Sequence, residues 1–383
     1  MKAFSRFASV AAISIAAAAA FAGTAGAATA RHAAPRFSGG ANHAVFVQTD
    51  NTAGNQVVAY DRAGDGALTL ATTYNTDGLG GILSGSVVDH LASQGSLTYD
   101  HRNDLLFAVN AGSNTISVFS VRGDRLRLTQ VLGSGGTFPV SVAVHGDLVY
   151  VVNAENGGSV QGYRISFGYV LPIWHSNRSL GLDPTATPQF TNTPGQVAFS
   201  PDGSQLVVTT KANGNDIDVF RVRWDGSLSA SATVNSEPGT VPFAISFDHA
   251  GHLVIAEAGT NALATFALYG DGAVTLLDQV GTGLAATCWV ARVGGTFYAS
   301  NAGSAAVSGY QIGGHGQLTL LGATSTDPGT VDAAGSAGGQ FLYVQTGGTG
   351  IVDEFQVNPD ASLTAIGSVT VANAVGGEGI VAF

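Results

Sequence analysis

Short apolar runs, each closed by a small polar residue, recur along the chain. The clearest are Leu105-Leu-Phe-Ala-Val-Asn110, Leu148-Val-Tyr-Val-Val-Asn153 and Phe297-Tyr-Ala-Ser-Asn301, with weaker copies ending at Thr49, Thr210, Glu257 and Thr346. A few residues beyond every end begins an aliphatic-x-x-aromatic segment: Val57…Tyr60, Ile116…Phe119, Val160…Tyr163, Ile217…Phe220, Leu263…Phe266, Val307…Tyr310 and Val352…Phe355. Both kinds of run are short and rich in β-branched and aromatic residues, so each reads as a strand. From Thr49 to Thr346 is 297 residues in six steps, about 50 per repeat.

Each repeat holds two further strands. Ahead of the apolar run lies another β-like segment, such as Gln196-Val-Ala-Phe199 or Phe243-Ala-Ile-Ser-Phe247. After the aromatic segment comes a turn, often Asp-Gly (Asp65-Gly66, Asp225-Gly226, Asp271-Gly272). A fourth run follows, such as Val274-Thr-Leu276 or Leu318-Thr-Leu320. Asp-Gly suits tight hairpins because glycine accepts a positive φ at no steric cost. Four short antiparallel strands per repeat, seven times over, predict an all-β, seven-bladed β-propeller of four-stranded antiparallel blades. The anchor runs are continuous rather than alternating, as expected of sheets covered on both faces. The first repeat lacks its leading strand, and Glu378-Gly-Ile-Val-Ala-Phe383 is expected to supply it and close the ring.

Three stretches depart from the rhythm. Lys2 and Arg6 precede an Ala-rich apolar stretch, and Ala25-Gly26-Ala27 offers a small-x-small cleavage pattern. Residues 1–27 therefore read as a signal peptide cleaved near Ala27, 28–42 as a linker and 43–383 as the propeller. The expected location is secreted or periplasmic, and no later run is long and apolar enough to span a bilayer. Residues 79–96, Gly- and Ser-rich with Asp89-His90, form one insertion. Residues 167–194, with Trp174-His175 and Asn177-Arg178, form another. Long loops on a rigid scaffold are where function concentrates.

Only 11 % of residues are charged, and 15 Lys+Arg stand against 26 Asp+Glu, for a net charge of −11. Removing residues 1–27 leaves 13 positive charges against 26 negative, or −13. Such a surface does not suit nucleic acid, which needs cations to neutralise phosphates. The single cysteine, Cys288, excludes a disulfide framework and a thiolate zinc site. It lies thirteen residues before Asn301, as Ala244 lies thirteen before Glu257, which assigns it to the column of Ala244 as a core thiol. The chain has no G-x-S-x-G, H-E-x-x-H or G-x-x-x-x-G-K-[ST], and its nine histidines do not pair at ligand spacing. No metal and no cofactor are expected, and the protein reads as a monomer. The strand ends Thr49, Asn110, Asn153, Thr210, Glu257, Asn301 and Thr346 are equivalent positions, expected at similar heights around the channel. Glu257 is the sole carboxylate among them, and Lys211 is the nearest cation in sequence. Together they suggest a polar mouth for a small neutral polar ligand.

The seven repeats, the turn Phe199-Ser-Pro-Asp-Gly203 and the strand pair Leu106-Phe-Ala-Val-Asn-Ala-Gly-Ser-Asn-Thr-Ile-Ser-Val-Phe119 resemble the seven-bladed propeller lactonases, which include 6-phosphogluconolactonase and the carboxy-muconate cyclases. The resemblance covers the chain after the signal. It is nearest to exported bacterial members in Val207-Val-Thr-Thr-Lys211, Leu253-Val-Ile-Ala-Glu-Ala-Gly259 and Thr287-Cys-Trp-Val290. Active members carry Pro-Arg-His on an inner strand and Glu at the end of the next. Here the matching blade keeps Pro242 and Glu257 but has Phe243 for the Arg and Ala244 for the His. Two readings follow. In one the protein hydrolyses a neutral lactone with Glu257 as base; in the other it is a non-catalytic propeller binding a glycan, a peptide or an envelope partner.

Overall fold

The computed structural model describes residues 43–383, so the predicted signal peptide and linker lie outside the described residues. Seven antiparallel sheets follow one another in chain order, six of them four-stranded and the third extended by a fifth short strand. The architecture is the predicted seven-bladed propeller. Each anchor run is the second strand of its blade: Ala44–Gln48, Leu105–Asn110, Leu148–Asn153, Gln205–Thr209, Leu253–Glu257, Thr296–Asn301 and Phe341–Thr346. These strands are buried on both faces, which is why their sequences are apolar without alternation; Leu105–Asn110, for example, is buried along its whole length. The fourth strands form the outer rim, and Leu68–Asn75 is mostly exposed. Among the described residues the only helical elements are two 3₁₀ turns.

In five blades the aromatic of the aliphatic-x-x-aromatic signature marks a β-bulge. The third-to-fourth strand register slips at Ala59/Tyr60, Val118/Phe119, Thr265/Phe266, Gly309/Tyr310 and Glu354/Phe355. A bulge tightens the local twist, and twisted sheets pack radially. The hairpin turns join neighbouring blades. Tyr150 donates its hydroxyl to Gly226 O at 2.7 Å and Tyr343 to Gly66 O at 2.7 Å. Gly66 sits at φ +93°, and a Cβ there would lie 2.4 Å from the Phe341 ring, so both conformation and space require glycine.

Ring closure follows the expected route. Ile380–Ala382 pairs antiparallel with Ala44–Gln48, matching Val47 with Ile380 and Val45 with Ala382, and Gln48 N donates to Gly379 O at 2.8 Å. Phe383 is buried behind this strand, stacked on Tyr99 at 4.5 Å and 5.7 Å from Phe46.

Candidate functional site

The two insertions meet over one end of the central channel. Phe190 N donates to Ser84 O, and Ser84 N to Gln189 Oε1 at 2.9 Å, so residues 167–194 buttress residues 79–96. The first loop then crosses the mouth, bonding to blades on every side. Ser93 Oγ donates to Val140 O at 2.8 Å, Gln94 exchanges hydrogen bonds with the Val290 backbone, Trp289 Nε1 donates to Ser93 O at 2.6 Å, and His90 N donates to Gly376 O. On blade 7 a Cβ at Gly347 would lie 1.8 Å from the Val88 carbonyl oxygen. Only a bare backbone lets the loop settle there.

Beneath this loop is a cavity of about 380 Å³. Val241 and Phe243 wall it from blade 5, Cys288 and Trp289 from blade 6, and Val88, Ala92 and Phe190 from the insertions. The Phe243 and Trp289 rings meet edge to face at 5.1 Å. Its charged groups are Lys211 and Asp89. The Lys211 Nζ donates to Ala92 O and Phe190 O, both at 2.6 Å, and lies 5.3 Å from the Phe243 ring centroid. Phe243 thus gives blade 5 an apolar wall, and a cation from blade 4 reaches over it. Burial pulls the Lys211 ammonium down to about 7 against the opposing pull of Asp89. Burial likewise lifts Asp89 to about 6, although its oxygens accept Leu91 N at 2.8 Å and Ser93 N at 2.9 Å. The Cys288 thiol is pushed up to about 12, again mainly by burial, and stays protonated.

Why Lys211 reaches the cavity is visible in the repeat. The residue just past the strand end is small in five blades: Ala111, Ala154, Ala258, Ala302 and Gly347. In the other two it is charged, Asp50 and Lys211, and both adopt left-handed backbone at φ +50° and +54°. Both are buried. A left-handed non-glycine residue and a buried charge each cost free energy, and such costs cluster at functional positions.

A second buried group adjoins the same loop, close enough for Asp89 to repel its carboxyls. Glu378, in the closing segment, accepts Gly95 N at 3.0 Å and Ser93 Oγ at 3.3 Å, and its own N–H donates to Asp50 Oδ2 at 3.1 Å. The Glu378 and Asp332 carboxyls hydrogen-bond to each other. Burial raises Asp50 to about 8, Asp332 to about 7 and Glu378 well above the carboxylate range. Among the described residues no group of three or more His, Cys, Asp or Glu side chains is arranged to hold a metal ion.

The strand-end residues do not line the cavity and are occupied locally. Glu257 is buried, and its Oε2 accepts Thr260 Oγ1 at 2.8 Å and Gln279 Nε2. Burial pushes its pKa up while these two bonds oppose the shift. Asn110 donates to Ser117 Oγ at 2.8 Å, Asn301 to Ser308 Oγ at 3.0 Å and Asn153 to Ser134 O at 3.2 Å. Thr210 Oγ1 accepts Asp216 N at 2.8 Å, Thr346 Oγ1 donates to Ile351 O at 3.0 Å, and Thr49 Oγ1 accepts Gln56 N at 3.1 Å. Of the expected set, Lys211 alone lines the cavity. Cys288 also changes column. Thr287 pairs with Asn301 and Trp289 with Ser300, whereas Pro242 pairs with Glu257 and Ile245 with Ile255, and each slip is a bulge. Counting back from Ile245 and its equivalent Val290, which faces Ala299, puts Trp289 beside Ala244 and Cys288 beside Phe243. Spacing along the chain misses this because the hairpin from Ile245 to Ile255 is one residue longer than that from Val290 to Ala299, while the two bulges each add one residue.

No protein-family model and no curated protein matches the chain. Its fold is nevertheless common among solved structures. It is similar to a periplasmic gluconolactonase of Pseudomonas aeruginosa, at 18 % identity over 89 % of this chain and 98 % of that one with a TM-score of 0.71. A provisionally assigned 6-phosphogluconolactonase of Bacteroides uniformis matches at 18 % over 88 % and 98 %, TM-score 0.70. A virginiamycin B lyase of Staphylococcus aureus matches at 13 % over 76 % and 89 %, TM-score 0.54. These likenesses establish the fold.

Proposed function

We propose that the protein hydrolyses a lactone in the cavity under residues 79–96, with Lys211 and Asp89 as the working pair. The observation that carries this reading is the buried Lys211 Nζ on the cavity wall, with two of its three hydrogens committed to Ala92 O and Phe190 O. The third is left to polarise a carbonyl. Asp89, ionised above about pH 6, takes a proton from water as the water oxygen attacks the lactone carbon. The ring C–O bond then breaks, and the leaving oxygen receives that proton to give the hydroxy acid. The gluconolactonase fold supports the same class of reaction by analogy alone. Glu257 is assigned here to holding its strand end through Thr260 and Gln279, in place of the base role that the sequence suggested.

The test is lactone hydrolysis by the purified protein and three variants. Lys211→Met and Asp89→Asn are each expected to lower kcat/KM by about 10²–10³, the usual cost of losing one such group. Glu257→Gln is expected to keep turnover. The wild-type profile should be a narrow bell, rising through about pH 6 as Asp89 ionises and falling through about pH 7 as Lys211 loses its proton. Folding of each variant is checked by its melting transition. Turnover that survives Lys211→Met and vanishes in a folded Glu257→Gln returns the base role to Glu257.

A further inference from the structure

The chemistry of the cavity lining narrows the substrate, and we infer that the lactone it takes carries an apolar arm and is neither a sugar nor an anion. This rests on the lactonase reading above and names its substrate class. Ten of the fifteen lining residues are Val, Ala, Phe or Trp. The polar groups that remain are largely committed. Asp89 accepts two backbone N–H groups and takes the attacking water, Thr191 Oγ1 donates to Pro188 O, Trp289 Nε1 donates to Ser93 O, and Lys211 keeps a single hydrogen. That inventory satisfies one water and one carbonyl. A sugar lactone would bring several hydroxyls as well, and each hydroxyl stripped of water without a partner lowers affinity about tenfold.

An anionic lactone fares no better. The one cation in the lining is already opposed by Asp89, and the lining holds no second cation to take an anionic group. An alkyl arm, in contrast, finds the edge-to-face pair of Phe243 and Trp289 with Val88 above it. The cavity also has an apolar rim: Val87, at the crest of the loop, lines it while standing 82 % exposed. A volume of about 380 Å³ lies at the lower end of ligand sites and suits a small ring with a modest chain.

Trp289 is the reporter. Of the three tryptophans, Trp174 and Trp224 stand exposed on the outside, so Trp174→Phe with Trp224→Phe leaves one indole, in the cavity wall. This double variant is titrated with γ-decanolactone and with D-glucono-δ-lactone, following Trp289 emission, while hydrolysis of both by the wild type is measured above the spontaneous rate. The expected result is a saturable change with γ-decanolactone, at least about a hundredfold weaker with the sugar lactone, and the same order in kcat/KM. Val88→Asp, with its melting transition retained, should weaken the alkyl lactone at least about tenfold. Equal or better binding and turnover of the sugar lactone overturns the apolar-arm inference and leaves the lactonase reading standing. Saturable binding of γ-decanolactone with no hydrolysis of either compound supports the apolar site and overturns the lactonase reading. Neither binding nor hydrolysis overturns both.

Discussion

Replacing Glu378 with glutamine should stabilise the protein, and increasingly so as the pH rises. Glu378 and Asp332 hydrogen-bond through their carboxyls, so the pair holds a proton between them; both are buried, and both ionise above the ordinary range. A carboxyl whose folded pKa is raised keeps its full contribution below its unfolded value. Stability is lost as the pH climbs from there towards the folded pKa. Asp332, Asp89 and Asp50 all push Glu378 upward on top of its burial, whereas Glu378 pulls Asp332 down through their hydrogen bond. Glutamine at 378 keeps an oxygen for Gly95 N and turns the other atom into a donor for Asp332 and Ser93 Oγ. Glutamine cannot ionise and so escapes that repulsion, and roughly 1–2 kcal/mol should be gained at pH 8. In a propeller of this size that is a Tm gain of about 1–3 °C. Melting curves of wild type and Glu378→Gln between pH 4 and pH 8 should coincide at the acid end and separate steadily above pH 5. A gain that is the same at every pH, or a loss at pH 8, refutes the shared-proton account.

Two further outcomes concern the frame. Deleting residues 377–383 removes the strand Ile380–Ala382 and buried Phe383, and leaves Ala44–Gln48 as a naked edge. Loss of one buried Phe side chain alone costs about 3–5 kcal/mol, so circular dichroism should find no cooperative melt; an unchanged Tm would sink the closure model. The Cys288 thiol, held near 12, should react with iodoacetamide at pH 8 at least about a hundredfold more slowly than in urea. Cys288→Ser, at a half-buried position in the cavity wall, should cost roughly 1 kcal/mol of stability, and fast labelling of the native protein contradicts the raised thiol pKa.

The blades were legible because every one repeats the same physical problem. Leu105–Asn110 or Phe341–Thr346 must be apolar on both faces wherever it lies between two neighbours, so periodicity alone reveals seven of them. The closing strand was legible for the same reason, as a leftover strand beside an incomplete repeat. The cavity was harder. Asp89 and Trp289 lie 200 residues apart in the chain and meet only through a loop with no period. The strand-end ring attracted notice because Asn and Thr recur there. That recurrence has a local cause, since Asn110 with Ser117 and Asn301 with Ser308 hold the same turn in two blades. The more informative position was the next one along, where Ala or Gly gives way to Asp50 and Lys211.

A repeat gives seven equivalent places, and a single small ligand needs one that differs from the rest. In this protein the difference comes from what breaks the symmetry. Residues 79–96 cover the mouth unevenly, pressing on Gly347 in blade 7 while leaving a gap against blades 5 and 6. The left-handed turn at Lys211 then brings a cation to that gap, and residues 167–194 supply Phe190 to hold it. The equivalent left-handed turn at Asp50 receives the N–H of Glu378 and ties the loop to the closing segment. One exception to the repeat therefore faces the cavity and the other anchors its roof. Grafting alanine at Asp50 should loosen residues 79–96, and faster amide exchange there would be the sign. Grafting alanine at Lys211 should leave the blades in place and abolish the lactone hydrolysis proposed above.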